Sequence, residues 1–108
     1  MVCLRFGIFI FMNIKISYRA VPNCLRKYRR IRRLKQKQVA LILGLKTTSR
    51  ILQWENGSTI PNIVNLFKLA IIYRVLPDAL FIDLVRDLRE EIRKGEEKVL
   101  GNVSERNG

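Results

Sequence analysis

The feature that most constrains the fold of this chain is a short apolar helical pattern that stops at a glycine. Residues 36–43 repeat apolar side chains at helical spacing, and Gly44 follows directly. Glycine readily adopts the left-handed conformation that commonly ends a helix. The pattern therefore predicts a helix of about two turns. Its expected inward side chains are Val39, Ala40, Ile42 and Leu43.

A second short helix is predicted on the far side of this glycine. Thr47 or Thr48 can cap it through a hydroxyl group, and Gly57 ends it. Ile51 and Trp54 lie three residues apart and are expected to form its buried side. Two short helices joined at a turn form the helix-turn-helix arrangement.

Further helical patterns flank this pair. One begins after Pro22, another follows the capping residue Asn62, and the last begins at Pro77 and continues to about Lys94. A polar, glycine-dotted tail is expected from Gly95. The expected apolar stripe of the first helix is Leu25, Tyr28 and Ile31.

Three segments are predicted along the 108 residues. An all-α, compact five-helix domain over residues 21–85 follows a short apolar N-terminal extension, residues 1–20, and precedes a helix extension with a flexible polar tail, residues 86–108. The uncharged run from Phe6 to Met12 is too short to cross a bilayer, which takes about 20 residues. An alternative is that translation starts at Met12.

Positive charge is concentrated in one part of the chain. The net charge is +12, and residues 21–61 carry ten positive and one negative side chain, a net of +9. Such an imbalance points to a polyanion, either nucleic acid or an anionic membrane surface. The alternative is a solvated helix face or a disordered basic arm. Eight of the ten are Arg26, Lys27, Arg29, Arg30, Arg32, Arg33, Lys35 and Lys37.

The residue types present in the chain argue against catalysis. The chain has no histidine, and Cys3 and Cys24 are its only cysteines. It therefore lacks His-based acid–base chemistry, a structural zinc site and a disulfide framework. We expect no enzyme activity, no cofactor and no metal. Sparse cysteine usage favours a cytoplasmic location.

The ordered residues of the central region resemble the Cro/C1 repressor (XRE-type) helix-turn-helix family. The resemblance covers about residues 24–84. It implies a lambda-repressor-like domain whose second helix crosses the DNA backbone and whose third helix lies in the major groove. Its anchors are Leu25, Arg29, Leu34, Gln36, Val39-Ala40, Leu43-Gly44, Ile51, Trp54-Glu55-Asn56-Gly57, Pro61, Leu69-Ala70, Val75 and Leu80-Phe81.

Candidate DNA-contacting residues follow from this arrangement. Base edges are read by donors and acceptors on an exposed helix face, and the third helix offers Thr47, Thr48, Ser49, Arg50 and Gln53. The resemblance implies a phosphate or base contact from Gln36 and from backbone N–H groups near Asn56 and Gly57. Lys37 and Lys46 are further candidate phosphate contacts. It also implies a partly buried ion pair between Arg29 and Glu55.

Three positions depart from the family pattern. The stretch between Gly44 and Ile51 is one residue longer than the commonest spacing, which can shift the base-reading positions by one. Arg74 stands where the family often has a helix-ending glycine. Leu52 is apolar on the outer face of the third helix and can contact a thymine methyl group or neighbouring protein.

These features predict a sequence-specific, repressor-like transcriptional regulator that binds double-stranded DNA. An antitoxin-like protein that binds a toxin-like partner and autoregulates through DNA is the alternative. A membrane-surface role is disfavoured by the capped helices after residue 36. A homodimer is one possible partner state, since such domains usually read paired half-sites. No clear dimer seam is visible: Leu84, Leu88 and Ile92, at spacing four, either form a short one or cap the core.

Overall fold

The computed structural model describes residues 20–101, and within them the protein is built from helices, with no strands. The predicted all-α fold is confirmed. Predictions that concern residues 1–19, including the apolar extension and a start at Met12, lie outside the described residues. The helices are α1 (Leu25–Ile31), α2 (Gln36–Leu43), α3 (Ser49–Glu55), α4 (Ile63–Tyr73), α5 (Pro77–Leu80) and α6 (Ile82–Leu100).

The core draws apolar side chains from the first five helices. Trp54 of α3 is buried at the centre of the helix-turn-helix region, as the spacing from Ile51 predicts. Leu80 and Phe81 close the core at the end of α5. Its buried members are Leu25, Val39, Ala40, Ile51, Trp54, Leu69, Ala70, Tyr73, Leu80 and Phe81.

The chain ahead of α1 is tied to the end of α3 by a buried asparagine. Asn23 accepts a hydrogen bond from the Leu25 backbone N–H (3.0 Å) through Oδ1. Its Nδ2 donates to the Trp54 carbonyl (3.1 Å). Val21 N–H donates to the Gly57 carbonyl nearby (2.9 Å). These contacts fix the direction in which α1 leaves the core.

Two predicted helix signals act as expected. Gly44 ends α2 in the left-handed region, with φ of 78°. Asn62 caps α4, and its Oδ1 accepts from the Asn65 backbone N–H at 2.8 Å. Thr48 occupies the N-cap position of α3 without a side-chain cap bond. Thr47 Oγ1 instead accepts from Ser49 N–H at 3.3 Å.

The predicted last helix is two helices. Its backbone breaks at Phe81 (φ −133°, ψ 43°), and this break turns the Phe81 ring into the core. The second part, α6, continues through Gly95 to Leu100, so the tail expected from Gly95 was placed too early. Helix periodicity cannot register a one-residue break of this kind, because apolar residues continue on both sides.

Two residues expected to face inward are exposed. Ile31 is 62% exposed because α1 ends there, after only seven residues. Ile42 is 59% exposed, whereas Val39 and Ala40 carry the buried side of α2.

Cys24, the residue before α1, is buried and disulfide-bonded. One bonded cysteine is not the multi-bridge framework that the sequence argued against, but cysteine usage no longer argues for a reducing compartment. Separately, none of the helices in residues 20–101 combines the length and apolar character needed to span a membrane.

Candidate nucleic-acid interface

The turn between α2 and α3 has a geometry that depends on one glycine. Gly44 N–H donates to the Leu41 carbonyl (3.1 Å) and Leu45 N–H donates to the Ala40 carbonyl (2.8 Å). This pair of bonds is the Schellman arrangement, which needs a left-handed residue at Gly44. No atom outside its immediate neighbours would contact a side chain there. Glycine is therefore favoured at this turn for its backbone conformation and not for lack of space.

Helix α3 is held by its apolar side and exposes its polar side. Ile51 and Trp54 are almost fully buried. Arg50 and Gln53 are exposed, and their positions along the helix place them on a different face, since successive residues are about 100° apart. The helix therefore presents donors and acceptors on a surface that the core does not occupy.

Most of the predicted base-reading residues lie together. A shallow open depression runs from the turn onto α3. Of the predicted set only Thr48 does not line it, and Thr48 is half-buried. Its lining residues are Leu45, Lys46, Thr47, Ser49, Arg50 and Gln53.

Glu55, at the end of α3, is a buried carboxylate that binds side chains from α1 and α2. Its side chain is only 1% exposed and its carboxylate accepts two hydrogen bonds from Arg29, Nε to Oε2 (2.5 Å) and Nη2 to Oε1 (3.1 Å). Arg26 Nε lies 3.5 Å from Oε1. The hydrogen bond to Glu55 raises the pKa of Arg29 further above its ordinary value. The pair joins α1 to α3.

Gln36 is bound to the same carboxylate. Its Nε2 donates to Glu55 Oε1 at 3.0 Å, so the first residue of α2 is anchored to the last residue of α3. An amide nitrogen has two N–H groups, and this bond occupies one of them. The position predicted as a phosphate contact therefore also positions α2, a role that sequence reasoning missed because the partners are 19 residues apart.

The backbone N–H groups predicted to contact phosphate are already engaged. Asn56 N–H donates to the Leu52 carbonyl (2.9 Å), and Gly57 N–H donates to the Trp54 carbonyl (3.2 Å). One N–H cannot serve two strong acceptors well. Both groups complete the end of α3, so a phosphate would have to share an N–H that already has an acceptor, and these backbone contacts stay predictions. The exposed side chain of Asn56 remains a candidate contact.

Part of the basic run of α1 and the following turn is bound into the fold. Arg29 pairs with Glu55, and Arg32 Nε donates to the Ile72 carbonyl (3.0 Å) near the end of α4. A cation suits the C-terminal end of a helix, where unpaired carbonyls carry partial negative charge. The run is therefore not a disordered arm. Its exposed members are Arg26, Arg30, Arg33, Lys35 and Lys37.

A short helix packed across a glycine turn, with a polar outer face and a basic neighbourhood, defines a helix-turn-helix DNA-binding domain. The helix-turn-helix family model HTH_3 matches residues 25–80, more than half of the chain. The protein belongs to this family, the Cro/C1-type (XRE) helix-turn-helix proteins, which are DNA-binding transcription regulators. No curated protein and no solved structure matches the chain.

Proposed function

We propose that this protein is a repressor-type regulator that recognises a specific double-stranded DNA sequence with α3 in the major groove. Its DNA target, and not its cysteine usage, is the reason for proposing a cytoplasmic location. The observation that carries the proposal is the shared surface of Thr47, Ser49, Arg50 and Gln53. An arginine fork pairs with guanine O6 and N7, and a glutamine amide pairs with adenine N6 and N7. The α3 face offers one residue of each kind.

Phosphate contacts would flank this face on two sides. Lys46 lies in the turn before α3, and Lys37 lies in the first turn of α2. Both are exposed. The N-terminus of α2 adds its partial positive charge, and Gln36 retains one amide N–H beyond its bond to Glu55. A side-chain contact from Asn56 would complete this set.

The outer face of α3 also carries one apolar residue. Leu52 is 46% exposed and lies between Arg50 and Gln53 in sequence. Apolar side chains in the major groove contact the thymine methyl group. We therefore expect the preferred site to contain thymine beside the bases that Arg50 and Gln53 read.

The experiment that tests this function is a selection of bound duplexes from a random pool, followed by binding measurements on the most enriched duplex. A shared motif is expected, because side chains that read base edges discriminate by sequence. Binding should also weaken with salt at a log–log slope of about −0.9 per phosphate contacted. Enrichment of no motif would refute sequence-specific recognition, and salt-independent binding would refute a phosphate interface.

A further inference from the structure

Helix α6 extends beyond the domain and carries an apolar stripe. Its first two residues, Val85 and Leu88, are half-buried, and from Ile92 onward nothing in residues 20–101 covers it. All residues from 91 to 100 are exposed. Val85, Leu88, Ile92, Gly95 and Val99 follow one another at spacings of three, four, three and four. This spacing keeps them in one line along a helix and is the repeat of a coiled-coil seam. Ile92 is 58% exposed.

We propose that α6 pairs in antiparallel orientation with α6 of a second copy of this chain. In a two-fold pair centred between residues 93 and 94, Ile92 packs on Gly95 of the second copy. Leu88 then lies opposite Val99 of that copy. A two-fold axis makes each of these contacts twice.

The charges beside the stripe select this orientation. Residues that flank a coiled-coil seam contact their counterparts across it and determine partner and direction. In the antiparallel pair Arg89 faces Glu96 of the second copy, and Glu91 faces Lys98 of the second copy. Both pairs are attractive and each occurs twice. A parallel pair would instead place Glu91 beside Glu96 of the second copy, which is repulsive.

These four flanking charges are available for the pairing. No ion pair joins Arg89, Glu91, Glu96 or Lys98 to another part of residues 20–101. Arg93, by contrast, already pairs with Glu90 (2.7 Å) and Glu97 (2.6 Å). Those residues occupy the outer face of α6 away from the stripe, so dimerisation does not disturb their bonds.

Gly95 lies near the centre of the seam and is its smallest residue. No atom outside its helical neighbours would meet a side chain at Gly95, so nothing within the domain requires glycine there. A glycine inside a helix is less stable than an alanine at the same position. In the antiparallel pair it leaves room for Ile92 of the second copy, and two helices approach most closely where small residues face large ones.

The test is sedimentation equilibrium of the full chain, without DNA, over a concentration series. Wild-type protein is expected to dimerise. Glu96→Arg should raise the dissociation constant by about tenfold, because two attractive pairs become repulsive. The double change Arg89→Glu with Glu96→Arg restores the opposite charges and should restore dimerisation. Glu97→Arg makes the same charge change on the outer face and should have no such effect. Circular dichroism confirms that each variant is folded.

Each other outcome overturns the proposal. A monomeric wild type rules out the pairing at the concentrations used. Tighter association of Glu96→Arg indicates a parallel pair, because Glu91 would then face an arginine. Equal weakening by Glu96→Arg and Glu97→Arg indicates general repulsion between charged copies. A dimer that survives Ile92→Glu uses a surface other than the α6 stripe.

Discussion

Arg29 and Glu55 form a shielded, two-bond ion pair that joins the first helix to the end of the third. The carboxylate is 1% exposed and the arginine side chain 11% exposed. Arg29 Nη1 also donates to the Leu34 carbonyl at 2.9 Å, at the turn that follows α1. Because Gln36 binds the same carboxylate, Glu55 fixes α1, α2 and α3 relative to one another.

Glu55→Ala should lower the free energy of unfolding by about 3 kcal/mol. The substitution leaves Arg29 with a buried charge and no carboxylate, and breaking one side of a buried pair is strongly destabilising. Replacing both residues, Arg29→Met with Glu55→Leu, should recover part of the loss because no charge is then stranded. Chemical denaturation of the three variants measures these differences.

Glu90→Ala is the matched control for this prediction. It also removes a carboxylate from an arginine, Arg93, at 2.7 Å, but on the exposed face of α6. Exposed pairs contribute little to stability, so its unfolding free energy should stay close to wild type. Losses of similar size for Glu55→Ala and Glu90→Ala would show that solvent reaches the Arg29–Glu55 pair.

Stability should fall at alkaline pH through Tyr73. Burial raises the pKa of Tyr73 above its ordinary value of about 10, and the Glu55 carboxylate raises it further. The unfolded chain therefore ionises Tyr73 at a lower pH than the folded protein does. The contribution of the neutral Tyr73 phenol to the free energy of unfolding is complete below about pH 10. It is lost as the pH rises from there toward the pKa of Tyr73 in the folded protein, by at most about 1.4 kcal/mol per pH unit.

The Tyr73→Phe variant isolates this effect. Urea denaturation at a series of pH values above 9 should show a shallower loss of stability in Tyr73→Phe than in wild type. Every other titrating group is common to both proteins, so the difference between the two curves belongs to Tyr73. Parallel curves would mean that the phenol ionises equally well in the folded state.

Arg74→Gly should stabilise the domain. Arg74 ends α4 in the left-handed region, with φ of 61°, and its N–H donates to the Ile71 carbonyl at 3.2 Å. A side chain in this conformation costs roughly 1 kcal/mol that glycine avoids. Thermal unfolding should show a higher melting temperature.

Lys68→Gly serves as the comparison for Arg74→Gly. It also replaces an exposed basic residue of the same region, but within the α4 helix. Glycine there should cost about 1 kcal/mol. A loss of stability in both variants would indicate that Arg74 makes a contribution larger than its backbone strain.

Local signals allowed the central fold to be predicted from the sequence. Gly44 and Asn62 act through backbone geometry and one nearby hydrogen bond, so the residue itself indicates the structure. The break at Phe81 is different, because its non-helical backbone depends on how the ring packs in the core. No periodic pattern contains that information.

The site was less accessible to sequence reasoning where contacts are distant along the chain. The sequence shows that Gln36 has an amide group, but it does not show the partner of that amide, because Glu55 lies on a different helix. Backbone N–H groups near Asn56 and Gly57 were predicted to contact DNA, and the sequence did not indicate that the short α3 uses both N–H groups to complete its C-terminal turn. Pairing partners of backbone groups at helix ends depend on where a helix stops, which sequence defines only to within one or two residues.

The placement of the recognition face is tested most sharply by Gln53→Ala. Gln53 is exposed on α3 and lines the same depression as Arg50. If its amide reads an adenine, the substitution should cost about 1–3 kcal/mol on the preferred site and relax preference at one base pair. Competition binding with single-base variants of the selected duplex measures both quantities.

Lys37→Ala is the contrasting variant, because the two substitutions separate base reading from phosphate contact. Lys37 is exposed in the first turn of α2. Loss of a phosphate contact should weaken all duplexes about equally and reduce the salt slope by about one unit. Gln53→Ala should leave that slope unchanged because a neutral amide displaces no counterion. If Gln53→Ala instead weakens every duplex equally, the extra residue between Gly44 and Ile51 has shifted the base-reading face, and the neighbouring positions of α3 become the residues to test.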